Sequence, residues 1–250
     1  MRILLPPSEA KHPAGAGPRL LPDRTPLGVA RRRILTALAE FCRTDAAAAA
    51  LALPARSAAD ELAANRAVRR SPTTAALDRY AGTVYLGLDA GTLSAAGRRK
   101  ALESVLVFSG LFGVLSAAEP VPVYRLPVSA VLPPVGPLTR YWRSVLATEL
   151  PALLGDGLIV DLRSSDYTAM WRPAGELRER TVQVRILSEL PHRSPAVVSY
   201  PSKLGKGRLA RALLARRTPA RTVADVLGAW AAAGERDGVE LTPGKLELLS

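Results

Sequence analysis

The stretch from Val105 to Val128, VLVFSGLFGVLSAAEPVPVYRLPV, constrains the fold of this chain more than any other segment. Its first four residues are β-branched, aliphatic or aromatic and stop at Ser109, a pattern typical of a short buried strand. Gly110 and Gly113 then bracket two apolar residues, so the backbone can bend sharply there or let a polyanion approach its N–H groups. The segment therefore predicts a buried strand that ends in a tight, glycine-rich turn.

The same segment closes on Tyr124 and Arg125, which stand together after two prolines. A flat aromatic face beside a planar guanidinium, with apolar residues around both, suits stacking on a ligand and binding of an anion. We therefore take this pair as a candidate ligand-binding element.

The charge of the chain points to an anionic partner. Lys plus Arg outnumber Asp plus Glu by 34 to 22, which gives a formal net charge of +12 and a pI near 10.6. Such a balance favours binding to nucleic acid. A surface of solvated arginines in an arginine-rich proteome would explain the same count.

The few cysteines and histidines exclude some kinds of site. Cys42 stands alone, so no internal disulfide can form, and His12 and His192 are too few for a Cys/His metal cluster. The chain begins with too short an apolar run for a signal peptide, and no apolar run approaches the length of a membrane span. We expect a cytoplasmic protein with no cofactor, no metal and no contact with a membrane.

Two polar clusters follow predicted strands and are candidate sites. The strand from Arg2 to Leu5 leads into PPSEAK, with Ser8, Glu9 and Lys11, and a loop at a strand end in an α/β sheet is where ligands usually bind. A capped turn would explain this loop equally well. A second strand, in GDGLIVDLRSSDY, is followed by residues that offer a general base, hydroxyls and a stacking ring, namely Asp161, Ser164, Ser165, Asp166 and Tyr167. The alternative here is a helix N-cap formed by one of the serines.

The sharpest electrostatic feature is a basic run without an acidic residue, made up of Arg193, Lys203, Lys206, Arg208, Arg211, Arg216, Arg217 and Arg221. Ala196 to Tyr200 reads as a strand, and we expect a helix to begin near Gly207. Lys203 and Lys206 would then lie in the loop before that helix, where their charge and the helix dipole would act together on a phosphate. Arg208 and Arg211 would point away from the apolar face.

The rest of the chain reads as alternating helices and strands. Helices are predicted over Leu27–Arg43, Thr92–Ser104, Leu138–Leu150, where Pro151 should end the helix, and Val223–Ala233. A half-exposed strand is predicted over Thr181–Leu187 and a hairpin through Pro243-Gly244. The helix before Val105, the glycine turn and a short helix after it together resemble a helix-hairpin-helix, which presents backbone N–H groups to a phosphate.

Six motifs in this order resemble the YaaA family of peroxide-stress proteins. They are PPSEAK, VYLGL, SGLFGVL with YRL, the helix around Trp142, VDLRSSDY and KLGKGRLAR. The resemblance spans most of the chain and implies one mixed α/β domain over residues 1–250, with a mixed sheet surrounded by helices. It also implies a cytoplasmic protein that limits free iron and Fenton damage and binds duplex DNA without strong sequence preference, through a basic cleft and a helix-hairpin-helix.

By position, the resemblance assigns DNA binding to Lys11, Ser109, Gly110, Gly113, Tyr124, Arg125, Ser164, Tyr167, Lys203, Lys206, Arg208 and Arg211. Members of the family often have a basic residue after the hairpin. At that place this chain has the segment from Ser116 to Pro120, which contains no basic residue. A second hypothesis is an enzyme that acts on a nucleotide or a nucleic-acid base in the same cleft, with Asp161, Ser165, Tyr167 and Lys11 as its catalytic groups. The residues leave the oligomeric state open.

Overall fold

The fold is built around a mixed sheet whose central strands are apolar on both faces. It is described from a computed structural model that covers residues 1–13, 15–20, 23, 25–190, 193–235 and 238–249, without the side chains of 189–190 and 193–196. The strands are β1 (Arg2–Leu5), β2 (Thr74–Ala75), β3 (Val105–Ser109), β4 (Gly113–Ser116), β5 (Pro120–Val121), β6 (Val131–Leu132), β7 (Gly136–Pro137), β8 (Ile159–Asp161), β9 (Thr181–Leu190), β10 (Arg193–Ala196), β11 (Gly238–Thr242) and β12 (Lys245–Leu249).

The helices pack around this sheet and share one apolar core with it. They are α1 (Pro26–Phe41), α2 (Ala47–Ala50), α3 (Ala58–Ala67), α4 (Ala76–Arg79), α5 (Thr83–Leu88), α6 (Ala95–Ser104), α7 (Leu138–Leu154), α8 (Ser165–Thr168), α9 (Glu176–Glu179), α10 (Ser199–Ala215) and α11 (Val223–Ala232). The mixed α/β class predicted from the sequence is confirmed.

The main sheet has the strand order β11-β12-β9-β8-β1-β3-β4, and β10 pairs with β9. Strands β12, β9, β8, β1 and β3 are mutually parallel, whereas β4 and β11 are antiparallel additions at the two edges. The side chains of β1 from Ile3 onward and all those of β3 and β8 are buried, as expected for parallel strands covered on both faces. The strand predicted at Arg2–Leu5 and the hairpin through Pro243-Gly244 are confirmed.

Helix α10 differs most from its prediction. It begins at Ser199 rather than near Gly207, so Lys203 and Lys206 lie inside the helix, and residues 199 and 200 are helical rather than extended. The glycines have a packing role: a Cβ on Gly207 would lie 2.0 Å from Val84 O of α5, and one on Gly205 would meet Ile186 and Trp230 at 3.0 to 3.2 Å. The two glycines therefore reflect close packing of α10, at Gly207 against α5 and at Gly205 against β9 and α11, and not a turn.

Helix α7 also runs past its predicted end. Pro151 lies inside the helix, which continues to Leu154 because Leu150 and Leu154 are both buried in the core. Trp142 of the same helix is fully buried, and its Nε1 donates a hydrogen bond of 2.8 Å to Gly110 O, so this side chain anchors α7 in the core.

The segment from Val105 forms a β-hairpin, because β3 pairs with β4 in the register Phe108 to Val114. Helix α6 leads directly into β3, as predicted, but the chain after the turn is strand β4 and then β5 instead of a short helix. The structure therefore does not confirm a helix-hairpin-helix. Among the residues that the structure describes, no helix is long and apolar enough to cross a membrane.

Candidate functional site

The candidate site lies where the parallel strands β1, β3 and β8 end. After β1 the chain adds β3 on one side of it and later adds β8 on the other side, so the winding of the sheet reverses at β1. Ligands of open α/β sheets bind at such a reversal, outside the carboxyl ends of the strands. The fold thus brings together the PPSEAK loop, Ser109 and the polar residues after Asp161, which the sequence analysis selected separately.

Lys11 lies in the loop after β1 and is held by that loop and by two aromatic rings. Its Nζ donates hydrogen bonds to Ser8 O at 2.9 Å and Glu9 O at 3.3 Å. It lies 4.2 Å from the ring centre of Tyr124 and 5.4 Å from that of Tyr80. Burial, and after it the nearby Arg125 cation, lower the pKa of Lys11 to about 7 against the opposing effect of Glu9 and Glu61.

A chain of hydroxyl groups runs beneath this lysine. The Tyr80 and Tyr124 hydroxyl oxygens are 2.8 Å apart, and the Tyr124 hydroxyl lies 2.6 Å from Ser109 Oγ. Ser109 Oγ also accepts the N–H groups of Leu111 at 3.1 Å and Phe112 at 3.2 Å. Burial raises the pKa of Tyr124 well above its ordinary value, so all of these hydroxyls stay protonated at neutral pH.

The hairpin turn is buried, in contrast to the expectation that its backbone N–H groups face a phosphate. A Cβ on Gly110 would lie 2.5 Å from Leu126 O, and one on Gly113, whose φ is +72°, would lie 2.6 Å from the Trp142 ring. The two glycines are thus explained by close packing and by a left-handed backbone. Ser109 belongs to the site through its hydroxyl, whereas Gly110 and Gly113 support the turn.

Arg125 lies at the rim of the site. Its guanidinium forms an ion pair of 2.8 Å with Glu9 and approaches Glu61 at 3.8 Å, and its Nε has no hydrogen-bond partner. Its backbone N–H and C=O are both bonded, at 2.8 Å, to the amide of the fully buried Asn65. Asn65 and Tyr80 were missed by the sequence analysis, because neither stands in a motif that signals chemistry.

Asp161 is already paired, which corrects its interpretation as a general base. Its carboxylate accepts two hydrogen bonds from Arg163, at 2.8 Å from Nε and 2.7 Å from the terminal nitrogen, and both side chains are almost fully buried. The Arg163 guanidinium also lies 4.2 Å from the ring centre of Phe108. Asp161 therefore compensates a buried cation, and Arg163 is a structural residue that the sequence analysis did not select.

The residues after Asp161 differ in exposure. Ser164 is half-buried at the first position before α8 and forms no side-chain cap, while Ser165 is exposed. Tyr167 is half-buried near Tyr124 and Glu9, and burial together with these neighbours raises its pKa. Tyr167 therefore lies in the same region as Lys11, but Asp161 and Ser165 do not join them in an acid–base group.

Some basic side chains of α10 are bound to other parts of the protein, whereas Lys203 is exposed and can contact a ligand. Arg208 forms an ion pair of 2.5 Å with Glu235, and Arg211 donates to the carbonyls of Leu88 and Asp89 at 3.1 and 2.7 Å, which caps the end of α5. Lys203 is exposed and, within the described part of the chain, has no ion-pair partner.

Lys206 connects α10 to the end of β8. Its Nζ donates a hydrogen bond of 2.9 Å to Arg163 O. Burial lowers the pKa of Lys206 to about 8, Asp161 opposes this shift, and the neighbouring charge of Lys203 adds to it. The two lysines, one helical turn apart, thus place positive charge beside the carboxyl end of β8.

Tyr200 is an exposed ring that the sequence analysis did not select. It is 60% exposed and precedes Lys203 by one helical turn. An aromatic ring and a cation on one helix face are typical of surfaces that bind nucleic-acid bases and phosphates. The sequence did not reveal that Tyr200 and Lys203 share a helix face, because Tyr200 was predicted to end a strand and the helix was predicted to begin near Gly207.

Comparisons with known proteins agree with the resemblance seen in the sequence. The family model described as peroxide stress protein YaaA matches residues 1–230. A UPF0246 protein of Streptomyces coelicolor is 39% identical over 236 residues, which cover 92% of this chain and 88% of that protein. UPF0246 proteins of Corynebacterium glutamicum and Corynebacterium efficiens are each 36% identical, over 94% and 100% of this chain and 93% and 99% of their own. The chain therefore belongs to the family of the peroxide stress protein YaaA, and this membership supports a role in the response to peroxide stress.

Proposed function

We propose that this protein is a cytoplasmic DNA-binding protein of the peroxide response and that it binds the phosphates of duplex DNA at the carboxyl edge of β1 and β8. The observation that carries the proposal is Lys203, an exposed cation with no ion-pair partner among the described residues, next to the half-buried Lys206. Phosphate contacts by such cations supply most of the affinity of sequence-nonspecific DNA binding.

Arg125 is the second cation of this proposed surface. Its partner Glu9 is a 72% exposed carboxylate, so a phosphate can replace it at little cost in desolvation. A planar guanidinium is also suited to bidentate contact with a phosphate. We expect smaller contributions from Arg208 and Arg211, because both cations are already held by α5 or by Glu235.

The family resemblance adds to this proposal a role in limiting free iron and the Fenton damage that follows from it. DNA is a target of that chemistry, so a DNA-binding protein and a reduced iron pool would serve the same protective end. The contacts of Lys203, Lys206 and Arg125 support the DNA-binding part of the proposal.

The proposal is tested by the affinity of Lys203→Ala for a fluorescently labelled duplex, measured by anisotropy. We expect a loss of about five- to tenfold, about 1 to 1.4 kcal/mol, because one charge-assisted phosphate contact is removed. Lys245→Ala is the matched control, since Lys245 is also an exposed lysine but lies on β12, two strands from β8, on the sheet face opposite to the buried Leu246 and Leu248. Equal affinities of native protein and Lys203→Ala, or an equal loss in Lys245→Ala, would contradict the proposal.

A further inference from the structure

Lys11 is placed unlike the other cations of the site. Among the described residues it has no carboxylate partner within ion-pair distance, because Glu9 is bound to Arg125. Its Nζ instead contacts two backbone carbonyls and the rings of Tyr80 and Tyr124. Burial and the nearby Arg125 cation lower its pKa, and a lysine that only holds DNA phosphates gains nothing from this loss of charge.

The same surroundings suit a nucleophilic amine. An amine attacks carbonyl carbons only in its neutral form, and desolvation beside another cation favours that form. The two carbonyls can accept both hydrogens of a neutral amine, which leaves its lone pair for reaction. The ring of Tyr124 lies against the amine, and its hydroxyl, bonded to Tyr80 and Ser109, belongs to a chain of protonated groups available for proton transfer.

We propose that Lys11 condenses with the aldehyde of a sugar phosphate, specifically the ring-opened C1′ aldehyde that remains in DNA where a base has been lost, and forms an imine. This inference rests on the proposed function, since Arg125 and Lys203 would hold the phosphates on either side of that sugar. Free deoxyribose 5-phosphate carries the same aldehyde and is the other source of this chemistry.

The reaction needs no oxidant or reductant. The Nζ lone pair forms a bond to C1′, the carbonyl electron pair moves to oxygen, and that oxygen takes up a proton while nitrogen loses one. The oxygen then gains a second proton from the hydroxyl chain and leaves as water when the C1′–O bond breaks. The remaining nitrogen lone pair forms the C=N bond of a protonated imine, and this imine returns its N–H proton to the hydroxyl chain. Amine and aldehyde thus give imine and water.

Trapping the imine tests the inference. The full chain is incubated with a duplex that carries one abasic site, in the presence of cyanoborohydride, which reduces an imine to a stable amine. A duplex that carries a tetrahydrofuran analogue has no aldehyde and measures binding alone. We expect a covalent adduct with the abasic duplex only, located at Lys11 by mass spectrometry, and none with the analogue.

Two variants sharpen this test. Lys11→Arg should form no adduct above background when it is compared at an equal fraction of bound duplex, whereas Lys245→Arg should form as much as the native protein. The initial rate of trapping should rise with a midpoint near pH 7 as Lys11 loses its proton, under the combined influence of Arg125, Arg79, Glu9, Glu61 and the rings of Tyr80 and Tyr124.

The failures of the two proposals are distinguishable. Binding of the analogue duplex without any adduct on the abasic duplex would overturn the inference and leave DNA binding intact. An adduct at another lysine, or undiminished trapping by Lys11→Arg, would also overturn it. Trapping of deoxyribose 5-phosphate at Lys11 without binding of either duplex would uphold the chemistry with the free sugar as its source and would contradict the DNA-binding function.

Discussion

At the scale of single residues, the ionic state of each group in the site is decided by its burial and its partner. Lys11 and Lys206 are both largely desolvated, and burial lowers the pKa of each, to about 7 and about 8. Lys203, one helical turn from Lys206, is exposed. Three lysines in one site therefore play different parts, which their residue type alone does not reveal.

The pKa of Lys11 predicts a pH dependence of stability. An unfolded lysine has a pKa near 10.5, so between about pH 7 and 10.5 the unfolded chain binds more protons than the folded one. The free energy of unfolding should therefore rise with pH in this window. In Lys11→Met this contribution is lost, and the slope should fall by up to about 1.4 kcal/mol per pH unit.

Urea denaturation of both proteins between pH 7 and 9.5 measures these slopes. The upper limit of the pH range avoids the ionisation of tyrosines in the unfolded chain. That ionisation would lower the free energy of unfolding as the pH rises, because burial raises the pKa of Tyr124 and Tyr167 in the folded protein. Lys206 contributes in the same direction in both proteins and cancels from the comparison. Parallel curves for native protein and Lys11→Met would show that Lys11 is charged in the fold.

The sequence predicted which residues lie in the site better than it predicted their partners and charges. Lys11, Tyr124 and Arg125 were selected and do lie together. Asp161 was interpreted as a general base because it follows a strand, yet Arg163, two residues later on the same side of the chain, occupies its carboxylate. The period of two along an extended chain brings such a pair together, and a pattern of acidic and basic residues at that spacing was the available signal.

At the scale of elements, the crossing of α10 and α5 holds the two lysines in place. Gly207 approaches Val84 O, and Gly87 approaches Leu204 O, where a Cβ would lie 2.0 and 2.2 Å from those oxygens. The helices can approach this closely only because the two glycines at positions 87 and 207 lack side chains. This crossing directs Lys206 towards the end of β8.

Gly207→Ala should destabilise the fold by about 1 to 3 kcal/mol, because the new methyl group must push α10 away from α5. Gly91→Ala is the matched control, since a Cβ there meets no atom within 4 Å and its φ is not positive. We expect the control to be neutral within about 0.5 kcal/mol. Thermal or urea unfolding measures both, and a neutral Gly207→Ala would refute the close crossing.

The start of α10 could not be predicted from local pattern. Glycine and proline at positions 201, 205 and 207 read as a turn, since glycine is unfavourable in a helix interior by about 1 kcal/mol relative to alanine. In the structure Pro201 lies in the first turn, where its missing N–H costs nothing. Gly207 faces α5, and Gly205 faces β9 and α11. Tertiary packing outweighs propensity here, and a single sequence carries no direct signal of that packing.

At the scale of the whole molecule, the sheet order determines which residues meet. The strands at Arg2–Leu5 and near Asp161 were predicted, but their adjacency, Leu4 beside Asp161 and Leu5 beside Val107, follows from the order β8-β1-β3. Residues 11, 124 and 203 are far apart along the chain, and only long-range pairing brings them to one edge. The sequence predicted that polar loops follow strands, whereas the order of those strands required the structure.

The most direct test of the account is the salt dependence of duplex binding by the native protein and by Lys203→Ala. Each phosphate contact that releases a counterion adds about 0.9 to the negative slope of log affinity against log salt. We expect a steep slope for the native protein, a slope shallower by about 0.9 for Lys203→Ala, and no change for Lys245→Ala. A native protein whose binding is independent of salt, or a Lys203→Ala variant with the native slope, would contradict the claim that this edge binds nucleic-acid phosphates.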